Sequence, residues 1–283
     1  MAAENEAADV LGSMIDTHVH LASGDLVAYP HVEDPPFVTE RYVFTAEDLA
    51  ASMGGTEVSQ ATVVQPFGVY GFDNRYHADS AQRFPDLFAG ICGVPATADG
   101  PGLLRYWVTE RGMTGARFAT LAQGMSLLDD VVVDVLEAAA LVDVPVCVLT
   151  SRKHVRDLPA LVARVPDVRL VLDHAGVSGA PTDADDVIDR LGSLAPVENI
   201  VLKLTTPMLE GGDVSRKIVD FVLDRFGPAR LVWGTNYPIT DGGGYAGNVA
   251  ASRQALSFLT AGERDQVFRS TAARLWPALA TAR

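Results

Sequence analysis

Eight short apolar stretches alternate with amphipathic ones along 283 residues. No Gly-x-Gly-x-x-Gly turn follows the first of them, and several histidines fall at or just past their ends. These observations predict a single-domain α/β fold, a (β/α)8 barrel, with an open doubly wound sheet as the runner-up.

The strands are expected at 15–21 (IDTHVHL), 61–66, 88–94, 113–118, 145–150, 168–173, 199–204 and 230–234 (RLVWG). Most are unbroken Val/Ile/Leu runs, as suits strands covered on both faces of a parallel sheet. Thr45 is placed to cap a helix over 46–53, with Glu47 and Asp48 in its first turn. Ser126 opens a second candidate, 127–142, and Thr182 a third, with Asp183, Asp185 and Asp186 following. In 214–226, Ile218, Phe221, Val222 and Phe226 repeat at helical spacing, and Gly227-Pro228 ends the run. Between the first two strands lie about 40 residues, too long for an ordinary connection and placed to cover the catalytic face of a barrel as a lid. Residues 241–248 (DGGGYAGN) read as a flexible loop beside that face.

Composition bounds the function. The net charge is −14 and the pI about 4.7, which provides no basic field for nucleic acid or anionic membranes. With 48% hydrophobic residues the chain can bury a large core, yet no apolar run reaches membrane-spanning length. Cys92 and Cys147 sit inside apolar runs and are expected as buried thiols. The acidic 1–13 stretch lacks the plan of a signal peptide and reads as a mobile tail before a barrel over 14–283, on a cytoplasmic protein. The expected partner is a small molecule, with self-association left open.

Chemistry gathers at the strand ends. His18 and His20 are two apart, so both imidazoles face the same side of the first strand, where a pair can hold a metal or a polar substrate. His174 follows the sixth strand, and Asn236 the eighth. Arg117 ends the fourth strand facing inward and needs either a substrate anion or a nearby Asp. Lys203, on the seventh, needs Asp173 or a substrate oxygen. His31, His77 and His154 are expected to be solvated.

The motifs IDTHVHL, LVLDHAG and LVWGTNYP, in that order, resemble the amidohydrolase superfamily and, within it, the 2-pyrone-4,6-dicarboxylate lactonase branch; VVQPFGVYGFDNRY, GARF and VLKLT agree. The resemblance implies a distorted (β/α)8 barrel that hydrolyses a cyclic ester, with His18, His20, His174 and position 236 catalytic. It matches Arg117 and Tyr42 to family residues that hold the substrate, and Phe67, Tyr70, Leu149, Lys203 and Tyr237 are expected to line the substrate beside them. Metal-dependent members add a fifth-strand His and an eighth-strand Asp. Here Leu149 and Thr150 stand at the former and Asn236 at the latter. No cofactor is therefore expected; any zinc would fall to His18, His20 and His174.

Asn cannot take a proton from water as Asp does. Asn236 is then an engineered replacement, the mark of altered chemistry, or a turn residue bracing its loop. The pyrone lactonase's second arginine is matched by Gln123, so a dicarboxylate is disfavoured; Phe67 and Leu149 suggest a fairly apolar substrate with one carbonyl or anionic group. The alternatives are a metal-dependent decarboxylase of the same superfamily and a catalytically silent barrel.

Overall fold

The structure, a computed structural model, describes residues 13–33, 43–119, 124–177, 179–239 and 243–280. The expected N-terminal tail, Tyr42 and Gln123 lie outside these residues. One parallel eight-stranded sheet runs in sequence order: β1 (Met14–Val19), β2 (Val58–Val64), β3 (Phe88–Gly93), β4 (Gly115–Ala119), β5 (Val146–Leu149), β6 (Leu170–Leu172), β7 (Ile200–Thr205) and β8 (Leu231–Gly234). After them come α1 (Ala46–Met53), α2 (Arg75–Arg83), α3 (Gly100–Thr109), α4 (Asp130–Leu141), α5 (Leu158–Arg164), α6 (Ala184–Gly192), α7 (Asp213–Phe226) and α8 (Gly244–Ala255). All eight expected strands are present, with ends shifted by a few residues.

The caps explain where the helices begin. Thr45 caps α1 as expected, and Asp48 reaches back to complete a reciprocal capping box. Two other starts differ from expectation. Ser126 does not open a helix: its hydroxyl accepts from Leu128 N–H, Asp129 accepts from Ser126 N–H, and α4 starts at Asp130. On α6 the cap is Asp183 rather than Thr182, because a carboxylate one residue later reaches both Asp185 N–H and Asp186 N–H. The glycine-rich stretch also departs from the loop expected for it. From Gly244 onward it is helical, tied down by buried Tyr245 and Asn248.

The barrel closes irregularly between β8 and β1. The β1–β2 register shifts between Asp16 and Val19, a local bulge of the kind found beside active sites. Across the seam, Thr17 Oγ1 donates to Trp233 O (2.7 Å), Asn236 N to His18 O (2.9 Å) and His20 N to Tyr237 O (2.8 Å). Gly234 permits the close approach, since a Cβ there would stand 2.7 Å from the His18 backbone nitrogen. Buried Asp16 fastens the seam, accepting from His18 N–H (3.0 Å), Thr235 N–H (2.9 Å), Thr235 Oγ1 (2.6 Å) and Tyr245 OH (3.1 Å). Burial pushes its carboxyl up to about 6, against those four donors.

Inside the barrel the period-2 alternation of the strands sorts polarity by height. Ile15, Val64, Ile91, Cys147, Val171, Val201 and Val232 form one apolar cluster with Trp276 from the C-terminal segment. Two residues further along β6 and β7, the same inward face carries Asp173 and Lys203. Cys92 and Cys147 are buried free thiols, as expected. Among the described residues no helix is long and apolar enough to cross a membrane.

The part of the long β1–α1 connection described here folds back over the barrel mouth. Ala22 bridges Phe44, Val32 N donates to Val69 O (2.8 Å), and Ser23 N donates to Tyr70 OH (2.7 Å).

Candidate active site

The site sits at the C-terminal ends of the strands, in two tiers. The lower tier is buried and charged. Asp173, just past β6, receives Lys203 Nζ on Oδ1 (2.9 Å) and Arg117 Nε on Oδ2 (2.9 Å). Burial alone would raise the Asp173 carboxyl, but Lys203 and then Arg117 outweigh it and hold it well below the usual carboxylate range. Burial likewise disfavours the Lys203 ammonium, yet Asp173 keeps it above its ordinary value. The trio of one anion and two cations therefore carries a surplus of one positive charge in a protein of net charge −14.

His18 lies in this tier, fully buried. Lys203 Nζ donates to its Nδ1 at 3.1 Å. An ammonium can only donate, so Nδ1 is the acceptor and the ring proton sits on Nε2. Nδ1 also stands 3.5 Å from Asp173 Oδ1, but His18 is not charged there. Burial first, then the Lys203 charge, depress it well below the ordinary imidazole range.

The upper tier is formed by His20 and His174, with Asn236 joined to β1 through its backbone bond to His18 O. The His18 ring centre is 4.8 Å from those of both His20 and His174. His20 Nδ1 lies 2.7 Å from Val64 O, so it must carry the proton and donate, leaving the Nε2 lone pair free. Burial, then Arg117, lower its pKa to about 3. His174 pairs through Nδ1 with Thr205 Oγ1 (2.9 Å), and burial lowers it to about 4. His174, Ala175 and Asn236 take positive φ (56°, 49° and 60°), a conformation costly for a non-glycine residue and concentrated here at the mouth. Asn236 also braces its turn, donating to His18 O and accepting from Ile239 N (3.0 Å).

Around this centre, Phe67 lies beneath the Arg117 guanidinium (5.9 Å to the ring centre), and Leu149 is partly exposed at the end of β5. Tyr237 packs edge-on against Phe44 and Tyr245. The Tyr70 hydroxyl is committed to Ser23 N–H, so it supports the β1–α1 connection. Arg117 has the ion-pair partner that its burial demanded, in Asp173. His77, expected to be solvated, is fully buried against Tyr70 and Tyr76 with both ring nitrogens unpartnered, and burial lowers it to about 3. It sits on the inward face of α2 beneath the β1–α1 connection, a placement periodicity did not predict. His31 is half-buried against Tyr70 and not free in solvent. His154 is partly exposed and paired with Asp157. Two site residues escaped sequence reasoning. Asp16 looked like part of a strand, and Thr205 like a strand terminus; only the fold brings each to its partner.

The amidohydrolase family profile matches residues 15–278. The chain belongs to the amidohydrolase family. It is similar to an L-fucono-1,5-lactonase of Burkholderia ambifaria, 28% identical over 251 residues and covering 84% of each chain. Its fold is similar to a putative 2-pyrone-4,6-dicarboxylic acid hydrolase from Pseudomonas putida (TM-score 0.77, 22% identity, 94% of this chain and 98% of that one). It is also similar to an amidohydrolase from Burkholderia multivorans with bound zinc (TM-score 0.71, 22% identity, 93% and 99%).

That zinc-bound neighbour raises the question of metal in this amidohydrolase. Among the described residues no three His, Cys, Asp or Glu side chains are disposed to share one ion. The nearest carboxylate, Asp173, is taken by two cations, and a dication beside Lys203 and Arg117 would meet their charge. Among the described residues the donor set does not fit a metal.

Proposed function

We propose that this amidohydrolase hydrolyses a lactone, with neutral imidazoles in place of a carboxylate as the proton acceptor. The observation that carries the reading is the fixed tautomer of His20, whose Nδ1–H is spent on Val64 O and whose Nε2 lone pair is left at the strand end. The lactonase relatives support the reaction class. Water attacks the lactone carbonyl carbon and its proton passes to His20 Nε2. The carbonyl π electrons move onto oxygen, where the surplus positive charge of Arg117, Lys203 and Asp173 and a contact from His174 stabilise the oxyanion. Collapse breaks the ring C–O bond, the leaving oxygen takes the proton back from His20, and a hydroxy acid results. The substrate is a small lactone whose ring meets Phe67 and Leu149. With only one surplus positive charge among Arg117, Lys203 and Asp173, a single carbonyl and its developing oxyanion suit this site better than a dicarboxylate.

A barrel that binds a lactone without opening it is the second reading, favoured by Asn236, an amide at the position where the family resemblance places a carboxylate. The test is turnover of a panel of alkyl, aryl and sugar lactones by chelator-treated protein, with His20→Asn alongside. The hydrolase reading expects turnover that survives chelation and falls about 10²-fold in the variant, the usual worth of a positioned base. No turnover by the parent protein, or turnover indifferent to His20, would sink it.

A further inference from the structure

Next to the ion trio lies a buried thiol that the mechanism above does not use. Cys147 is on β5, in register with Arg117 of β4 and Val171 of β6, and belongs to the apolar cluster that fills the lower barrel. Its sulfur is fully buried and accepts from Lys203 Nζ at 3.5 Å. The other buried thiol, Cys92, instead donates to a backbone carbonyl, Gly115 O (3.4 Å). Burial pushes the Cys147 thiol up to about 11, although Lys203 pulls it down. The thiol is therefore neutral, and a sulfur lone pair faces the ammonium.

An ammonium has three N–H donors and no lone pair. Three polar neighbours surround that of Lys203: Asp173 Oδ1 as an ion pair (2.9 Å), His18 Nδ1 (3.1 Å) and Cys147 Sγ (3.5 Å). The contact with His18 decides a tautomer. Nδ1 either accepts from Lys203, with the ring proton on Nε2, or carries the proton itself and turns to Asp173 Oδ1, 3.5 Å away. In the second case Nε2 is a bare lone pair. Nε2 is buried in the ring cluster with His20 and His174 and has no partner among the described residues. An N–H there favours a developing oxyanion, and a lone pair opposes it.

We infer that Cys147 is a positioning residue: its sulfur completes the three-point seat of the Lys203 ammonium and thereby holds His18 in the tautomer with the proton on Nε2. It touches no reacting atom and acts only through Lys203 and His18. Without the sulfur, one N–H of a buried ammonium is left unpaired, which is costly. The ammonium relieves that cost by shifting toward the Asp173 carboxylate and loosening its hold on His18 Nδ1. The catalytic consequence rests on the lactone reading, but the tautomer is measured without it.

The test uses the full chain labelled with ¹⁵N-histidine, in which protonated and bare ring nitrogens resonate far apart. The His18 signals are identified by their loss in His18→Gln. Cys147→Val roughly keeps the bulk of the side chain and removes the acceptor, Cys147→Ala removes both, and Cys147→Ser keeps an acceptor. The parent and Cys147→Ser should show His18 protonated on Nε2 alone. Cys147→Val and Cys147→Ala should both show a mixture with the proton on Nδ1, while Cys92→Ala leaves the His18 signals unchanged. In lactone turnover, kcat should fall about five-fold in Cys147→Val and Cys147→Ala with little change in KM, the weight of one modest hydrogen bond, and recover in Cys147→Ser. An unchanged tautomer in Cys147→Val would overturn the inference. So would activity that follows side-chain volume, with Val restoring what Ala loses, because Cys147 would then be a packing residue. A tautomer that depends on Cys147, with no lactone turned over by any form, would overturn the hydrolase reading and leave the positioning role standing.

Discussion

The two ends of the barrel interior are built from the same strands and solve opposite problems. At the lower end Ile15, Val171, Val201 and Val232 close over Trp276, which is fully buried. At the upper end the same inward faces of β6 and β7 carry Asp173, Lys203 and Thr205. Burying the lower side chains is favourable in itself. Burying the upper ones costs desolvation that their mutual attraction only partly offsets. An ion trio, a proton-poor imidazole cluster and three positive-φ residues in one place are hard to justify by stability, and easy to justify as a preorganised field for an oxyanion.

Paired substitutions test that division. Asp173→Asn strips from Lys203 and Arg117 the carboxylate they share and should cost about 3–5 kcal/mol in denaturant unfolding, the usual penalty for orphaning a buried charge. Trp276→Ala should cost a similar 3–5 kcal/mol by leaving a cavity. Only Asp173→Asn should also abolish turnover per folded molecule. If Trp276→Ala lost activity equally, the two ends would not be separable.

Acid should weaken the upper end first. His18, His20 and His174 have depressed pKa values in the fold, as does His77 beneath the β1–α1 connection. The unfolded chain therefore takes up protons near pH 6.5 that the native state refuses, until about pH 3 at His20 and His77 and about pH 4 at His174. Stability contributed by these groups is complete above 6.5 and declines as pH falls, by about 1.4 kcal/mol per unit for each histidine. Asp16, raised to about 6, acts in the opposite direction, gaining stability between about 6 and 3.8, but it is one group against four. Melting temperature should drop between pH 6.5 and 4; a flat profile would mean that the histidines are charged in the fold.

The smallest expected effect is at Thr205. Thr205→Val removes the partner of His174 Nδ1 and should lower kcat by about five-fold, one neutral hydrogen bond of about 1 kcal/mol. Thr205→Ser should restore it. Loss of stability without loss of kcat would make Thr205 a packing residue only.

Much of this was legible in the sequence because it rests on short periods. Eight apolar runs with helices between them specify the barrel, and the spacing of His18 and His20 places both imidazoles at one mouth. Arg117 and Lys203 announced that a buried cation needs an anion, and Asp173 meets both. What stayed hidden depends on contacts between distant segments. His77 is buried because the β1–α1 connection folds over α2, and Asp16 matters because the segment after β8 closes onto β1. The glycines before Tyr245 concealed a helix, since Gly lowers helix propensity but cannot veto a turn held by Tyr245 and Asn248.

Asn236 braces a turn through its backbone, at the position where the family resemblance places a carboxylate. The most direct measurement is lactone turnover by the parent chain and Asn236→Asp side by side, across pH. The account predicts slow, His20-dependent turnover by the parent and a gain on the order of 10²–10⁴-fold in the Asp form, lost toward acid as the new carboxylate protonates. Equal, robust turnover by both forms would contradict it, because position 236 would then lie outside the reacting centre.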